Sequence, residues 1–353
     1  MSSKPILVIG GGPAGLEAVR GIADLGYQAI LIEKADFLGG MPISADYAAL
    51  TPDMRSPEEA MGEMIVAITD NPSIDIRLST TVVGSKGDAP NMEVTVKNAG
   101  GEEILEVGSV IVATGFKHFD PGKETQMYGY YEFEDVITLV DAEKMLKADE
   151  FARPSTGEAP KTVCFIQCVG SRDRQIGNQW CSKVCCGIAC KQAIEVKEAA
   201  PDARVFVFYI DMRTYGFWED EIYWKAQEDY NVNFIRGIVT EVTKRGDTLV
   251  VKGEDTTMGR PMEVAMDVVI LSVGMEPSDG TVEMADTFEL PLEPHGYIET
   301  TGGSLNTVET TVPGVFVVGA AAGPADLEDS VSMGGSAVMK ACSFIRKSEL
   351  QPA

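Results

Sequence analysis

The chain has 353 residues, 44% hydrophobic and 24% charged, a balance that excludes a disordered or collagen-like chain. Against 29 Lys and Arg stand 54 Asp and Glu, a formal net charge of −25 that repels nucleic acid phosphates and anionic lipid surfaces. The length predicts about two domains, and no stretch reaches the ~18 consecutive apolar residues of a membrane span, so a cytoplasmic protein with no direct membrane insertion is expected.

In chain order, Pro5–Gly10 reads as a buried strand, Ala14–Leu25 as a helix and Tyr27–Glu33 as a second strand. That is a β-α-β unit of about thirty residues, the size of a mononucleotide-binding half. Residues 36–55 are rich in Gly, Pro and Ala and read as a loop. The start Ser-Pro-Glu-Glu predicts a helix over Ser56–Ile68. Strands follow near Asp75–Leu78, Met92–Lys97, Ile104–Val107 and Val107–Ala113. Residues 117–160 are polar and broken by Pro and Gly. A second α/β series begins with the strand Thr162–Gln167 and the helix Gly187–Ala199. It continues through Arg204–Tyr209, a helix over Glu219–Tyr230, Val232–Ile235 and Asp267–Val273. A strand over Val315–Val318 and a helix over Val331–Lys347 close the chain. The expected architecture is α/β, a nucleotide-binding domain in two parts, 1–117 and 286–353, interrupted by a second α/β domain over 118–285.

Gly10-Gly-Gly12-Pro13-Ala14-Gly15 lies between the first strand and the first helix. Glycine suits a turn too tight for a side chain and lets the backbone approach a pyrophosphate. The helix N-terminus adds free N–H groups and a positive dipole end. Glu33, eighteen residues after Gly15, stands where a carboxylate accepts from ribose hydroxyls. Strand, loop, helix and acid together predict dinucleotide binding.

Six of the seven cysteines (Cys164, Cys168, Cys181, Cys185, Cys186 and Cys190) fall within 27 positions, and Cys342 stands apart. In a reducing compartment such clustering points to metal or redox chemistry. Four thiolates ligate zinc or a [4Fe–4S] cluster. Cys168 at a strand end is a better ligand than Cys164 inside the strand. A turn into the helix near Gly187 lets the adjacent Cys185 and Cys186 both face one site. Cys164, Cys190 and Cys342 read as small buried hydrophobes. After the strand Thr162–Gln167 comes Cys168-Val-Gly170-Ser-Arg172, so the second glycine motif that admits NAD(P)H is missing. A C-x-x-C pair is also missing, which disfavours an NAD(P)H-driven disulfide reductase.

The N-terminal loop with Pro13, the later Ala113-Thr114-Gly115 and Val315-Phe-Val-Val318-Gly319 resemble the two-dinucleotide-binding-domain flavoproteins of thioredoxin reductase-like fold, which hold FAD here. The resemblance implies FAD contacts from Gly10, Gly12, Pro13, Ala14, Gly15, Glu33, Lys34, Gly40, Met41, Val82, Ala113, Thr114, Gly115, Gly319, Ala320, Asp326, Leu327 and Ser330. Those flavoproteins usually follow the glycine with Asp. This chain has Ala320, and Asp326 or Ser330 is a candidate to replace it.

More specifically, Cys168-x₁₂-Cys181-x₃-Cys185-Cys186 resembles the flavin-proximal [4Fe–4S] motif of the heterodisulfide reductase A-subunit (HdrA-like) family. Asp211-Met-Arg213-Thr-Tyr-Gly216, Glu219–Tyr223, Phe234-Ile-Arg-Gly237 and Gly319-x₃-Gly323-Pro-x-Asp326 also resemble that family. The resemblance implies FAD, a [4Fe–4S] cluster on Cys168, Cys181, Cys185 and Cys186, and Lys191 close to the flavin N5 as a cation for the reduced flavin. It also implies a homodimer that works with the other subunits of a heterodisulfide reductase-like complex. The chain carries no C-x₂-C-x₂-C run for further clusters, so a relay to ferredoxin is not expected. The compact form resembles the short HdrA-like component of the bacterial sulfur-oxidising complex, and also the smaller flavoprotein of the quinone-interacting oxidoreductase of sulfate reducers. Two other readings are an NAD(P)H-dependent flavoenzyme with a structural zinc, and an assembly scaffold that keeps FAD for stability. Arg172 and Arg174, beside the cysteines, are candidates to tune a cluster or dock a partner, or are simply solvated.

Overall fold

The computed structural model describes residues 4–123 and 128–350. The chain divides into two compact units. The first comprises Met1–Ser44, Glu58–Lys117 and Glu276–Ala353, and the second Ala45–Pro57 and His118–Met275.

The first unit is built on a five-stranded parallel sheet in the order Val315–Val317, Ser109–Val112, Ile6–Ile9, Ala29–Ile32, Ile74–Arg77. Four of these strands are buried along their whole length, as a sheet covered on both faces requires. One face packs on the helix Pro13–Asp24, through Leu16, Val19 and Ile22, and on the final helix Leu327–Leu350, through Val338 and Ile345. Gly334 lets these helices meet, because a Cβ there would stand 2.7 Å from the Ala14 carbonyl oxygen. The other face packs on a three-stranded antiparallel sheet, Thr81–Lys86, Met92–Asn98 and Gly101–Val107, and on the helix Asp279–Thr287. Ser278 caps that helix by accepting from Thr281 N at 3.1 Å.

The second unit has a seven-stranded sheet in the order Arg260–Met266, Thr248–Asp255, Asn233–Arg245, Arg204–Tyr209, Thr162–Val169, Val268–Val273, Val136–Thr138. Its centre is parallel, and the first three strands form an antiparallel extension. Helices Leu139–Lys147 and Cys185–Ala199 pack on it. The first of these starts inside the stretch read as broken and polar. Thr138 and Asp141 cap it reciprocally. The helix expected over Glu219–Tyr230 opens as a π-wound stretch, Glu219–Trp224, and continues as an α-helix over Lys225–Glu228. No helix among the described residues is long and apolar enough to cross a membrane.

Candidate functional site

In the first unit the glycine loop runs from the end of Ile6–Ile9 into the helix that Pro13 opens. Gly10 has φ +112, and a Cβ on it would lie 2.3 Å from the Ala113 carbonyl oxygen. A Cβ on Gly15 would lie 1.9 Å from the Gly10 carbonyl oxygen. Both are therefore glycine so that the loop can close. At Gly12 a Cβ would meet only Gly40 Cα, at 3.6 Å, so its missing side chain leaves room on the ligand side. The helix has no side-chain N-cap, which leaves its first N–H groups for a phosphate.

The carboxylate of Glu33 is buried at the end of its strand. It accepts from Gly11 N at 2.7 Å and from Ala35 N at 2.8 Å. One side chain therefore fixes the loop and still keeps lone pairs for a ribose. Ala113, Thr114 and Gly115 follow the neighbouring strand. Gly10 abuts Ala113, and Thr114 Oγ1 lies 2.9 Å from Thr281 Oγ1. Gly319, at φ +61, faces Ala14 and Ser330. Asp326 Oδ1 accepts from Asp329 N at 2.7 Å, and Ser330 Oγ donates to the Asp326 carbonyl at 2.7 Å. Both candidate replacements for the missing Asp thus also shape the start of the last helix. Gly40 sits beside Gly12 and Met41 opens the short helix that follows. Ala320 is buried, Leu327 is the first residue of the last helix, and Lys34 is exposed. Val82 is buried in the core against the antiparallel sheet.

In the second unit, three of the four predicted ligands converge. Cys168 lies in a bulge of its strand, where the pairing with Val268–Val273 slips by one residue, and it has φ +64. Such a bulge re-aims a side chain. Cys185 and Cys186 are the first two residues of their helix and are buried. The Cys185 thiol donates toward both Cys168 and Cys186. It brings Cys168 down to about 7, with Arg172 assisting, lowers Cys186, and is itself pushed up. Cys181 Sγ accepts from Lys183 N at 3.3 Å and lies within the field of Arg213. Cys164 and Cys190 are fully buried, and desolvation raises both thiols. Cys342 sits in the last helix of the first unit, where burial pushes it up to about 11.

Among the described residues no three or more His, Cys, Asp or Glu side chains form a ready-made metal cage. The donor set nevertheless fits an anionic thiolate-bound group. Three soft thiols lie together, the Arg172 guanidinium stands 4.0 Å from one of them, and the buried Gln167 amide and Ser171 Oγ, close to Cys168 in sequence, lack partners. The chain's own Cys168-to-Cys186 segment could therefore hold such a group.

Lys191 is 1% exposed. Its Nζ lies 2.5 and 2.6 Å from the two Glu143 oxygens and 3.0 Å from Glu195 Oε2. Glu143 also accepts from Gln192 Nε2 at 2.7 Å and from Ala48 N at 2.8 Å. Burial pushes Glu195 up to about 7, against the pull of Lys191. This network was invisible in the sequence, where Glu143 lies in the stretch read as irregular. His118, which carries no metal-ligand spacing, is buried against Tyr47, with Oη···Nε2 at 2.9 Å, and desolvation lowers it to about 4.

A dinucleotide loop on a parallel sheet, followed by a second α/β unit, defines a thioredoxin reductase-like flavoprotein oxidoreductase, with FAD as the dinucleotide. The chain belongs to the pyridine nucleotide-disulphide oxidoreductase family, whose sequence model matches residues 4–166 and 184–341. It is similar to the A-subunit of the H(2):CoB-CoM heterodisulfide,ferredoxin reductase of Methanothermobacter thermautotrophicus, at 39% identity over 257 residues, 71% of this chain and 39% of that protein. It is also similar to an iron-sulfur A-subunit of the CoB--CoM heterodisulfide reductase of Methanopyrus kandleri, at 29% identity over 98% of this chain and 65% of that protein. The chain thus spans between two fifths and two thirds of the length of these relatives. In fold it matches the thioredoxin reductases of T. acidophilum (TM-score 0.66, 18% identity, 97% of this chain and 99% of that one) and Lactococcus lactis (TM-score 0.65, 18%, 98% and 99%).

Proposed function

We propose that the chain is an FAD- and [4Fe–4S]-containing electron-transfer subunit of a heterodisulfide reductase-like complex. In this reading it serves the cytoplasmic oxidation of carrier-bound sulfane sulfur, as a homodimer that docks on the other subunits. The observation that carries the reading is the convergence of Cys168, Cys185 and Cys186 where the family would place its second glycine loop. The match to the family model breaks over residues 167–183, which hold Cys168 and Cys181. The Methanopyrus kandleri relative is named as an iron-sulfur subunit.

In this reading FAD exchanges two electrons and the cluster passes them on singly. Gly10, Gly12 and Gly15 admit the pyrophosphate, and Glu33 orients the ribose. Cys168, Cys181, Cys185 and Cys186 would hold the cluster. The missing second glycine motif supports the absence of a nicotinamide step. Gly170, at φ +75, packs against Phe119, since a Cβ on it would lie 2.1 Å from that ring. The reading also gives Lys191 to the reduced flavin. Its ammonium is held by the Glu143 carboxylate, so that role would fall to the network rather than to a lone lysine.

The test is anaerobic purification, with FAD, iron, sulfide and zinc measured on one sample. One FAD with about four iron and four sulfide per chain is expected. Zinc without sulfide, together with flavin bleaching by NADH, would sink the proposal in favour of a nicotinamide-dependent flavoenzyme.

A further inference from the structure

Arg172 is one of two arginines that the sequence placed beside the cysteines. It has φ +58, and its main-chain N–H donates to the Trp180 carbonyl at 2.8 Å, which fixes the direction of its side chain. Its guanidinium makes a forked pair with Asp211, Nη1 at 2.5 Å and Nη2 at 3.2 Å. The same Nη1 lies 4.0 Å from Cys168 Sγ. On the other side Arg213 Nε donates to Asp211 Oδ1 at 3.2 Å. The Cys186 thiol lies 3.9 Å from the Asp211 carbonyl oxygen, and Cys181 lies within the field of the Arg213 guanidinium. A forked guanidinium–carboxylate pair fixes geometry as well as charge. The carboxylate neutralises only one of the two cations.

We propose that Arg172, Asp211 and Arg213 form a fixed counter-ion, with one net positive charge, for the anionic group held by Cys168, Cys181, Cys185 and Cys186. The proposal rests on the cluster reading above. Each electron added to that group increases its negative charge, so a fixed positive neighbour favours the reduced form. The half-exposed Asp211 and Arg213 side chains let solvent screen part of the effect. Arg172, at 20% exposure, is the least screened of the three.

The experiment is an EPR-monitored potentiometric titration of the anaerobically purified wild type and of Arg172→Gln, Arg213→Gln and Asp211→Asn. Iron and sulfide are counted in each. Arg172→Gln is expected to disfavour reduction about tenfold, or about 59 mV for a one-electron couple. Arg213→Gln should shift the potential the same way by less. Asp211→Asn, which removes a negative charge, should shift it in the opposite direction. This sign pattern separates electrostatics from damage, because a merely disturbed site would move all three alike. Unchanged potentials, or three shifts of one sign, overturn the counter-ion and leave the cluster reading standing. If one arginine variant fails to load iron, the opposed signs of the other and Asp211→Asn decide; if Asp211→Asn fails, a larger downward shift in Arg172→Gln than in Arg213→Gln supports the counter-ion, and any other pattern overturns it. Failure of all three to load overturns it in favour of a structural clamp. A wild type without iron and sulfide overturns both.

Discussion

The ion network around Lys191 gives a prediction that needs no cofactor. Glu143 and Lys191 are 2% and 1% exposed, and the carboxylate meets the ammonium with both oxygens. Glu143→Gln keeps the shape and removes the charge. Removing one partner of a buried pair costs about 3–5 kcal/mol, because the other charge stays behind in low dielectric. Glu195, 3.0 Å from the same Nζ, ionises more fully to compensate, which places the loss near the lower end. A loss of about 3 kcal/mol is about a hundredfold in the opening equilibrium. Two units and a cofactor make a global two-state analysis unsuitable. The assay is therefore native-state hydrogen exchange on the amides of the helix Cys185–Ala199. They should exchange about a hundredfold faster in Glu143→Gln than in wild type. Acceleration below about fivefold would mean that the ammonium reaches water when Glu143 is gone, and would refute a sealed network.

Three other perturbations separate the parts of the molecule. Gly12→Ala should fold normally, since its Cβ meets nothing closer than 3.6 Å, yet bind FAD about tenfold to a hundredfold more weakly by disturbing one charge-assisted hydrogen bond of about 1.5–3 kcal/mol. Fluorescence titration of the apoprotein with FAD checks this, and unchanged affinity would place the pyrophosphate elsewhere. Burial holds Glu195 at about 7 in the folded chain, above its ordinary value, so the folded state keeps a proton that the unfolded state has released. Stability is then fully present below about pH 4.5 and falls by up to about 3 kcal/mol as pH rises through 7. Glu195→Gln, still beside Lys191 and Glu143, should flatten that slope in native-state hydrogen exchange of the helix Cys185–Ala199, compared with wild type at each pH between 5 and 8, and parallel profiles would contradict it. Cys168→Ser should abolish bound iron and sulfide, while Cys342→Ser, buried in the last helix, should leave both at wild-type content; the reverse result would move the ligands.

What was legible in the sequence was local. The apolar runs Ile6–Ile9, Ser109–Val112 and Val268–Val273 are buried along their whole length, and continuous apolar runs are the signature of parallel strands covered on both sides. The glycine loop, its helix and Glu33 were legible because they lie within thirty residues and obey one geometric need. The strands Thr248–Asp255 and Arg260–Met266 were not. The first runs from apolar Leu249–Val251 straight into Lys252-Gly-Glu-Asp255 and the second opens with Arg260-Pro261, so neither gives a clean period of two, and no strand was expected there. The final helix, expected over Val331–Lys347, runs from Leu327 to Leu350, through Gly334, which lets it approach Ala14. Lys191 looked like a helix lysine facing a flavin or solvent. Its burial depends on Glu143, 48 residues earlier in a segment that seemed irregular. Arg172 and Asp211 are 39 residues apart, and nothing in either neighbourhood announces the pair.

The same chain carries two strand-to-loop junctions of the kind that bind dinucleotides, and the contrast between them bears on the reaction. At the first, the strand Ile6–Ile9 leads into glycines whose missing side chains either close the turn, at Gly10 and Gly15, or leave space open, at Gly12. At the second, the strand Thr162–Val169 ends in a bulge, and the glycine that directly follows, Gly170, is pressed against Phe119. Its carbonyl accepts from Asn178 Nδ2 at 3.0 Å, and Trp180 Nε1 donates to the Met275 carbonyl at 3.2 Å, so the loop folds back on its own unit. A phosphate needs free N–H groups, which a glycine loop leading into a helix N-terminus supplies. Here the strand end presents a thiol, at Cys168, and the next helix begins with two more. In the second unit, thiols thus stand where the first unit has its phosphate loop.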